Sequence, residues 1–191
     1  MLRELNVYNV VFVGHSVSSI IGILAAIKEP ARFGRLVLLV PSPRFVNEGG
    51  YAGGFEKNDI SELLTAMEQD YTCWAAGMAP VMMGKQSHSL IMELANSFLK
   101  TNPAIARHFA RVTFFADHRE DLPLLAIPVL LLQCAHDVVA PLAVGTYLHE
   151  HLPGSQLVVI DTPGHCAHLT APAQTLNETE DFLDIAKLVD H

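Results

Sequence analysis

The sequence predicts an α/β fold: about four parallel strands with flanking helices and an inserted helical cap. Three observations lead there. Four short apolar, β-branched runs are bounded by turn residues, the pattern of strands buried on both faces. Segments with helical spacing follow them. Between the second and third runs lie roughly seventy residues of short helical patterns. Alternating strands and helices make a parallel sheet covered on both sides.

The first strand is expected over Val7–Val13 (VYNVVFV), with Leu2–Leu5 reading as a helix end before it. A buried helix follows over Val17–Lys28 and stops at Pro30. Arg35–Val40 (RLVLLV) is the second strand, closed by Pro41-Ser42-Pro43. The stretch NEGGYAGGFE is a glycine-rich loop. Asn58-Asp59 or Ser61 is suited to cap the next helix, which carries Ile60, Leu63, Leu64 and Met67 on one face. Helical patterns continue over Tyr71–Met78, Ser89–Leu99 and Ile105–Phe115, interrupted by Pro80, Gly84 and Pro103. Pro128–Gln133 is the third strand, Leu142–Leu152 a helix, Gln156–Ile160 the fourth strand and Pro172–Val189 a closing helix. The expectation is one domain over 1–191. Its core comes from 1–45 and 123–191 and its cap from about 55–118.

With 191 residues, half of them hydrophobic and 17% charged, the chain has enough apolar material for a core and too little charge for disorder. Net charge is −8, and no Lys/Arg cluster offers a stripe for phosphates, so nucleic acid is not an expected partner. Cys73, Cys134 and Cys166 are odd in number and lack metal-ligand spacing. That favours a reducing, cytoplasmic setting. Gly14-His15-Ser16 breaks the N-terminal apolar stretch and no small-residue cleavage site follows a charged segment, which argues against a signal peptide. No apolar run approaches the ~20 residues that span a bilayer, so no membrane association is expected.

Ser16 stands at the turn from the first strand into the first long helix. There its hydroxyl is pushed off the sheet's end, and free N–H groups of the helix face the same point. An attacking serine with the Val17 N–H as oxyanion donor suits that place, and so does a plain helix cap. The motif G-x-S-x-G is incomplete, because Ser18 stands where the last glycine belongs. A dinucleotide-binding turn is a poor alternative: position 16 is not glycine, and no acid lies about 20 residues on.

A serine nucleophile needs a base. Asp137 follows the third strand and His165 the fourth, so three strands deliver Ser, Asp and His to one sheet edge in that chain order. Ligands bind outside the carboxyl ends of strands in such sheets. The alternative base, His168, reads as a core or supporting residue. His15 reads as a pocket liner. His108, His118, His136, His149 and His151 read as surface or structural, and no pair of them has a carboxylate at zinc-site spacing.

The segments GHSVSSIIGILA, PSPRFVN, YAGGFE, NPAIARHFA, FFADHREDL, LLQCAHDVVAP, VGTYLHEHLP and GHCAHLTAP together resemble the RsbQ-like α/β-hydrolases. That group includes a bacterial stress-response regulator and is similar to the plant strigolactone and karrikin receptors. Serine at position 18 is familiar in the receptor branch. The resemblance runs from about Val11 to Pro172. It implies a Ser16–His165–Asp137 triad and a four-helix cap, formed by about Asp59–Phe115, over a deep apolar pocket. His15, Trp74, Phe98, Phe114, Phe115 and Val139 are the implied liners, each equally readable as ordinary cap packing. It implies no metal and no organic cofactor. It also implies a small hydrophobic ester, lactone or related carbonyl compound as substrate or ligand, and a PAS-domain phosphatase as signalling partner.

Such a hydrolase places several strands before the nucleophile, whereas here only Leu2–Leu5 precede the first one. About 75 residues are therefore expected to be missing, a partial fold lacking its N-terminal strands. The loop that supplies the second oxyanion donor would go with them, at a cost of ~10²–10³ in rate. The first strand would become an exposed edge. The chain alone is thus expected to be poorly soluble or dimeric and nearly inactive, a truncated gene product. A monodisperse monomer that hydrolyses p-nitrophenyl acetate, with activity lost in Ser16→Ala, would contradict this.

Overall fold

The computed structural model describes residues 1–84 and 88–184. In chain order it contains α1 (Leu2–Leu5), β1 (Val10–His15), α2 (Val17–Lys28), β2 (Phe33–Leu39), α3 (Lys57–Gln69), α4 (Tyr71–Met83), α5 (His88–Leu99), α6 (Pro103–Phe115), β3 (Val129–His136), α7 (Leu142–His151), β4 (Ser155–Pro163), α8 (Ala167–Thr170) and α9 (Pro172–Leu183). The four strands form one sheet in the order β1-β2-β3-β4, each pair parallel. Among the described residues no helix is long and apolar enough to cross a membrane.

Strand alternation assigns the two faces. Leu36, Leu38 and Leu131 pack in one cluster with Ile20 and Ile23 of α2 and Val144 and Leu148 of α7. Their neighbours Val37, Leu39, Leu130 and Leu132 point the other way, into a second cluster with Ile160 and Ala167 and, at its margin, Phe182 of α9. Continuous apolar runs are what a strand needs when both faces are covered. Each fully buried leucine among them contributes about 2–3 kcal/mol. Among the described residues β1 stands at the sheet's edge, paired with β2, and its Val11 and Val13 stay half exposed.

Several element ends differ from the sequence expectation. The first strand begins at Val10 rather than Val7, because Asn6 and Asn9 both take left-handed backbone angles (φ 50° and 52°) that end any extended run. β2 starts two residues early, at Phe33, where Val10 pairs with it. β3 and β4 run on to His136 and Pro163, and these two residues pair with each other across a local irregularity. Helix α4 continues through Pro80 to Met83. Pro80 lacks one N–H, but Ala79 and Met83 are fully buried and Gly84 closes the helix in the left-handed conformation. Pro103 opens α6 as its first residue rather than interrupting it. Glu56, not Asn58 or Ser61, caps α3, in a reciprocal box with Asp59 at the third helical position. The expected closing helix to Val189 is α9, which reaches Leu183 with Asp184 at its end; its remaining part lies outside the described residues.

Helices α3–α6 stand together between β2 and β3. A third cluster, with Ile60, Leu64 and Met67 of α3 and Ala110 of α6, joins them to Phe45, Val46 and Val139 from the loops at the strand ends. The block thereby sits over the carboxyl edge of the sheet, where Ser16, Asp137 and His165 emerge.

Candidate active site

Ser16 follows the last residue of β1 and precedes the first of α2. Its backbone is left-handed in φ (54°) with ψ −120°, a conformation costing ~1–3 kcal/mol for a residue with a side chain. The surroundings hold it there. Its N–H donates to the Leu39 carbonyl at 2.8 Å, and its own carbonyl accepts from Ser19 N–H at 3.0 Å. The Ser16 side chain makes no capping bond to α2, so its hydroxyl is turned away from the helix. Gly14 lets β1 and α2 approach: a Cβ there would lie 2.9 Å from the Ser19 backbone. Ser18, in the place of the motif's last glycine, bonds back to both the N–H and the carbonyl of His15.

Asp137 follows β3 directly and is buried. Its Oδ1 accepts from the backbone N–H groups of Val139 (2.8 Å) and Ala140 (3.1 Å). Its Oδ2 accepts from His165 Nδ1–H at 2.6 Å. His165 follows β4 after Gly164, whose φ of +85° suits glycine. With Nδ1 protonated toward Asp137, Nε2 is the acceptor and takes the Ser16 hydroxyl at 2.7 Å. Residues 16, 137 and 165 thus form one continuous hydrogen-bonded line, and His165 is fully buried.

Two more imidazoles flank it. The His15 ring centroid lies 5.2 Å from that of His165 and 4.7 Å from that of His168. His15 Nε2–H donates to the His165 carbonyl at 2.6 Å. Burial, above all, pushes His15 down to about 4. It lowers His168 as well, with the neighbouring His165 adding to the effect. Both rings are therefore neutral near pH 7.

A cavity of about 690 Å³ opens over Ser16, between the sheet edge and α3–α6. His15, Trp74, Phe98, Phe114 and Val139 line it. Phe115 does not. Successive helical residues point about 100° apart, so with Phe114 turned inward Phe115 faces outward, more than a third exposed. Sequence reasoning missed Met78 and Met82 on α4 and Ile105 and Phe109 on α6, which also line the cavity. Their i, i+4 spacing with Trp74 and with one another marks a second apolar stripe on helices whose first stripe packs inward. Among the described residues Trp74 Nε1 is buried with no hydrogen-bond partner.

Comparison with known proteins gives a consistent picture. The model of the alpha/beta hydrolase family matches residues 1–179. A probable esterase of Oryza sativa subsp. japonica is 40% identical over 174 residues, covering 90% of this chain and 64% of the rice protein. Karrikin insensitive 2 receptor IA of Petunia hybrida is 38% identical over 178 residues, covering 92% and 65%. The chain thus spans just under two thirds of the length of these relatives. The solved structure of a hydrolase from Oleispira antarctica, 40% identical, superposes with a TM-score of 0.91 over 95% of this chain and 68% of that one.

Proposed function

Because the chain belongs to the alpha/beta hydrolase family, we propose that it is a serine hydrolase of small hydrophobic esters or lactones, with Ser16 as nucleophile, His165 as base and Asp137 as the group that orients the base. The observation carrying this reading is the unbroken line from Ser16 Oγ to His165 Nε2 (2.7 Å) and from His165 Nδ1 to Asp137 (2.6 Å), opening into an apolar cavity.

The chemistry follows from the proton positions. Ser16 Oγ bonds to the substrate carbonyl carbon while its proton passes to His165 Nε2. Asp137, doubly held by the Val139 and Ala140 N–H groups, stabilises the imidazolium without taking its proton. The Val17 N–H, at the start of α2, donates a hydrogen bond to the developing oxyanion. Collapse breaks the bond to the leaving oxygen, which takes the proton from His165. Water then attacks the acyl-enzyme with His165 again as base, freeing the acid and Ser16. With a lactone, alcohol and acid leave as one molecule. The cavity's apolar wall favours a hydrophobic substrate.

A second reading is a ligand sensor in which hydrolysis is slow and the α3–α6 block carries the output to a signalling partner, a PAS-domain phosphatase in a stress pathway being one such partner. The likeness to a protein named as a karrikin receptor favours considering it. Turnover of p-nitrophenyl esters by the wild type and by Ser16→Ala tests the first reading. Counting product released per ligand bound separates the two: many turnovers mark an enzyme, about one marks a sensor. Undiminished turnover in Ser16→Ala would sink the first reading, and many turnovers per ligand bound would sink the second.

A further inference from the structure

We propose that His15 and the last turn of α4 form a two-sided clamp on the backbone of His165, making them positioning elements for the catalytic base; this rests on the role of His165 given above. The His165 N–H donates to the Met82 carbonyl at 2.6 Å. The His165 carbonyl accepts from His15 Nε2–H at 2.6 Å. One residue is thus held from the helical block on one side and from the nucleophile turn on the other.

Each half of the clamp has a physical origin. The final carbonyls of a helix lack intrahelical partners. In α4, Gly84 N–H bonds back to Pro80 and Val81, which leaves the Met82 carbonyl for His165. The approach needs two glycines. A Cβ on Gly84 would lie 2.7 Å from Gly164 N, and one on Gly164 would lie 2.6 Å from the Met82 oxygen. Both glycines also have positive φ (64° and 85°). On the other side, His15 is half-buried and neutral near pH 7 and so has one ring N–H, which it spends on His165.

The consequence is a link between cavity and base. Trp74, Met78 and Met82 lie on α4 and line the cavity. A ligand that presses on this helix acts on the same element whose end fixes His165. His165 must serve Ser16 and Asp137 at once, so a small rotation of its backbone misaligns both bonds. Misplacement of about 1 Å costs on the order of 100-fold in rate.

The test combines an exchange measurement with kinetics. His165 amide hydrogen exchange is followed by NMR in the wild type and in Gly84→Ala, whose Cβ would push α4 off the loop. Turnover of a p-nitrophenyl ester is measured for both and for His15→Leu and His15→Gln. In Gly84→Ala, His165 exchange is expected to quicken at least tenfold. In that variant and in His15→Leu, kcat is expected to fall on the order of 10- to 100-fold, by more than KM rises. His15→Gln, whose amide N–H replaces Nε2–H, is expected to recover kcat to within about threefold of wild type. An unprotected His165 amide in the wild type, or equal kcat in His15→Leu and His15→Gln, would overturn the clamp. If Gly84→Ala does not fold, the His15 pair decides. If Ser16→Ala keeps its turnover, the catalytic reading falls and the exchange contrast alone judges the clamp.

Discussion

The Ser18 hydroxyl exchanges two hydrogen bonds with one residue, accepting from the His15 N–H and donating to the His15 carbonyl, both at 2.8 Å. The turn that carries Ser16 is therefore tied together by the side chain that departs from the G-x-S-x-G pattern. Tight approach of helix and strand falls instead on Gly14 against Ser19 and on Gly22 against the Phe12 ring. Ser18→Gly is expected to cost only ~1 kcal/mol in urea unfolding and to leave turnover within a few-fold. Gly14→Ala is expected to cost ~1–3 kcal/mol, because its Cβ meets backbone that cannot yield. The reverse order of the two costs would refute this division of labour.

The strand cores and the three residues of the line were legible because both rest on short-range facts. VLLL and LVLLV are apolar without interruption, and Ser16, Asp137 and His165 each stand just past a strand run. Strand ends were not legible. Asp161, Thr162 and Pro163 read as turn residues, yet β4 continues through them because Pro163 pairs with His136. Helix α4 outlasts Pro80 for a tertiary reason, the burial of Met83, that no local pattern reports. The clamp on His165 was out of reach for a similar reason. It uses a backbone carbonyl and two glycines whose nearness, 80 residues apart in sequence (84 to 164), only the fold determines.

Asp137→Asn separates positioning from stability. The new side chain can still accept from Val139 and Ala140 N–H through its oxygen. Its amide then donates toward His165 Nδ1, which forces the proton to Nε2 and removes the acceptor for Ser16. The expected result is a loss of ~10⁴ in kcat with unfolding free energy changed by about 1 kcal/mol or less. Retained turnover would remove Asp137 from the proposed mechanism.

The three thiols should differ sharply toward alkylation. Burial, chiefly, pushes Cys134 up to about 12 and Cys166 up to about 11, so neither supplies thiolate near pH 8. Cys73 is exposed. Iodoacetamide at pH 8 is expected to add one group to the native protein, at Cys73, and three after unfolding in urea. Rapid native labelling of Cys166, which lines the cavity, would show that its burial is not maintained in solution.

Stability should fall as the solution is acidified from neutrality, and His15 sets the window. Its folded value is about 4, against an ordinary 6.5. Above 6.5 both folded and unfolded chains carry it neutral, and its stabilising difference is fully present. Below 6.5 the unfolded chain binds a proton that the folded one refuses until about pH 4, so the unfolded state gains. Each pH unit in that interval is worth ~1.4 kcal/mol, so about 2 kcal/mol is lost between pH 7 and 5. His168, also lowered by burial, adds in the same direction. Asp117, held near 2 chiefly by its hydrogen bond from Arg119, changes state only at lower pH and leaves this interval untouched. Urea unfolding at pH 7 and pH 5 measures the loss, and His15→Gln should remove most of it. Equal losses in wild type and His15→Gln would assign the acid sensitivity to another group and contradict a neutral His15 beside His165.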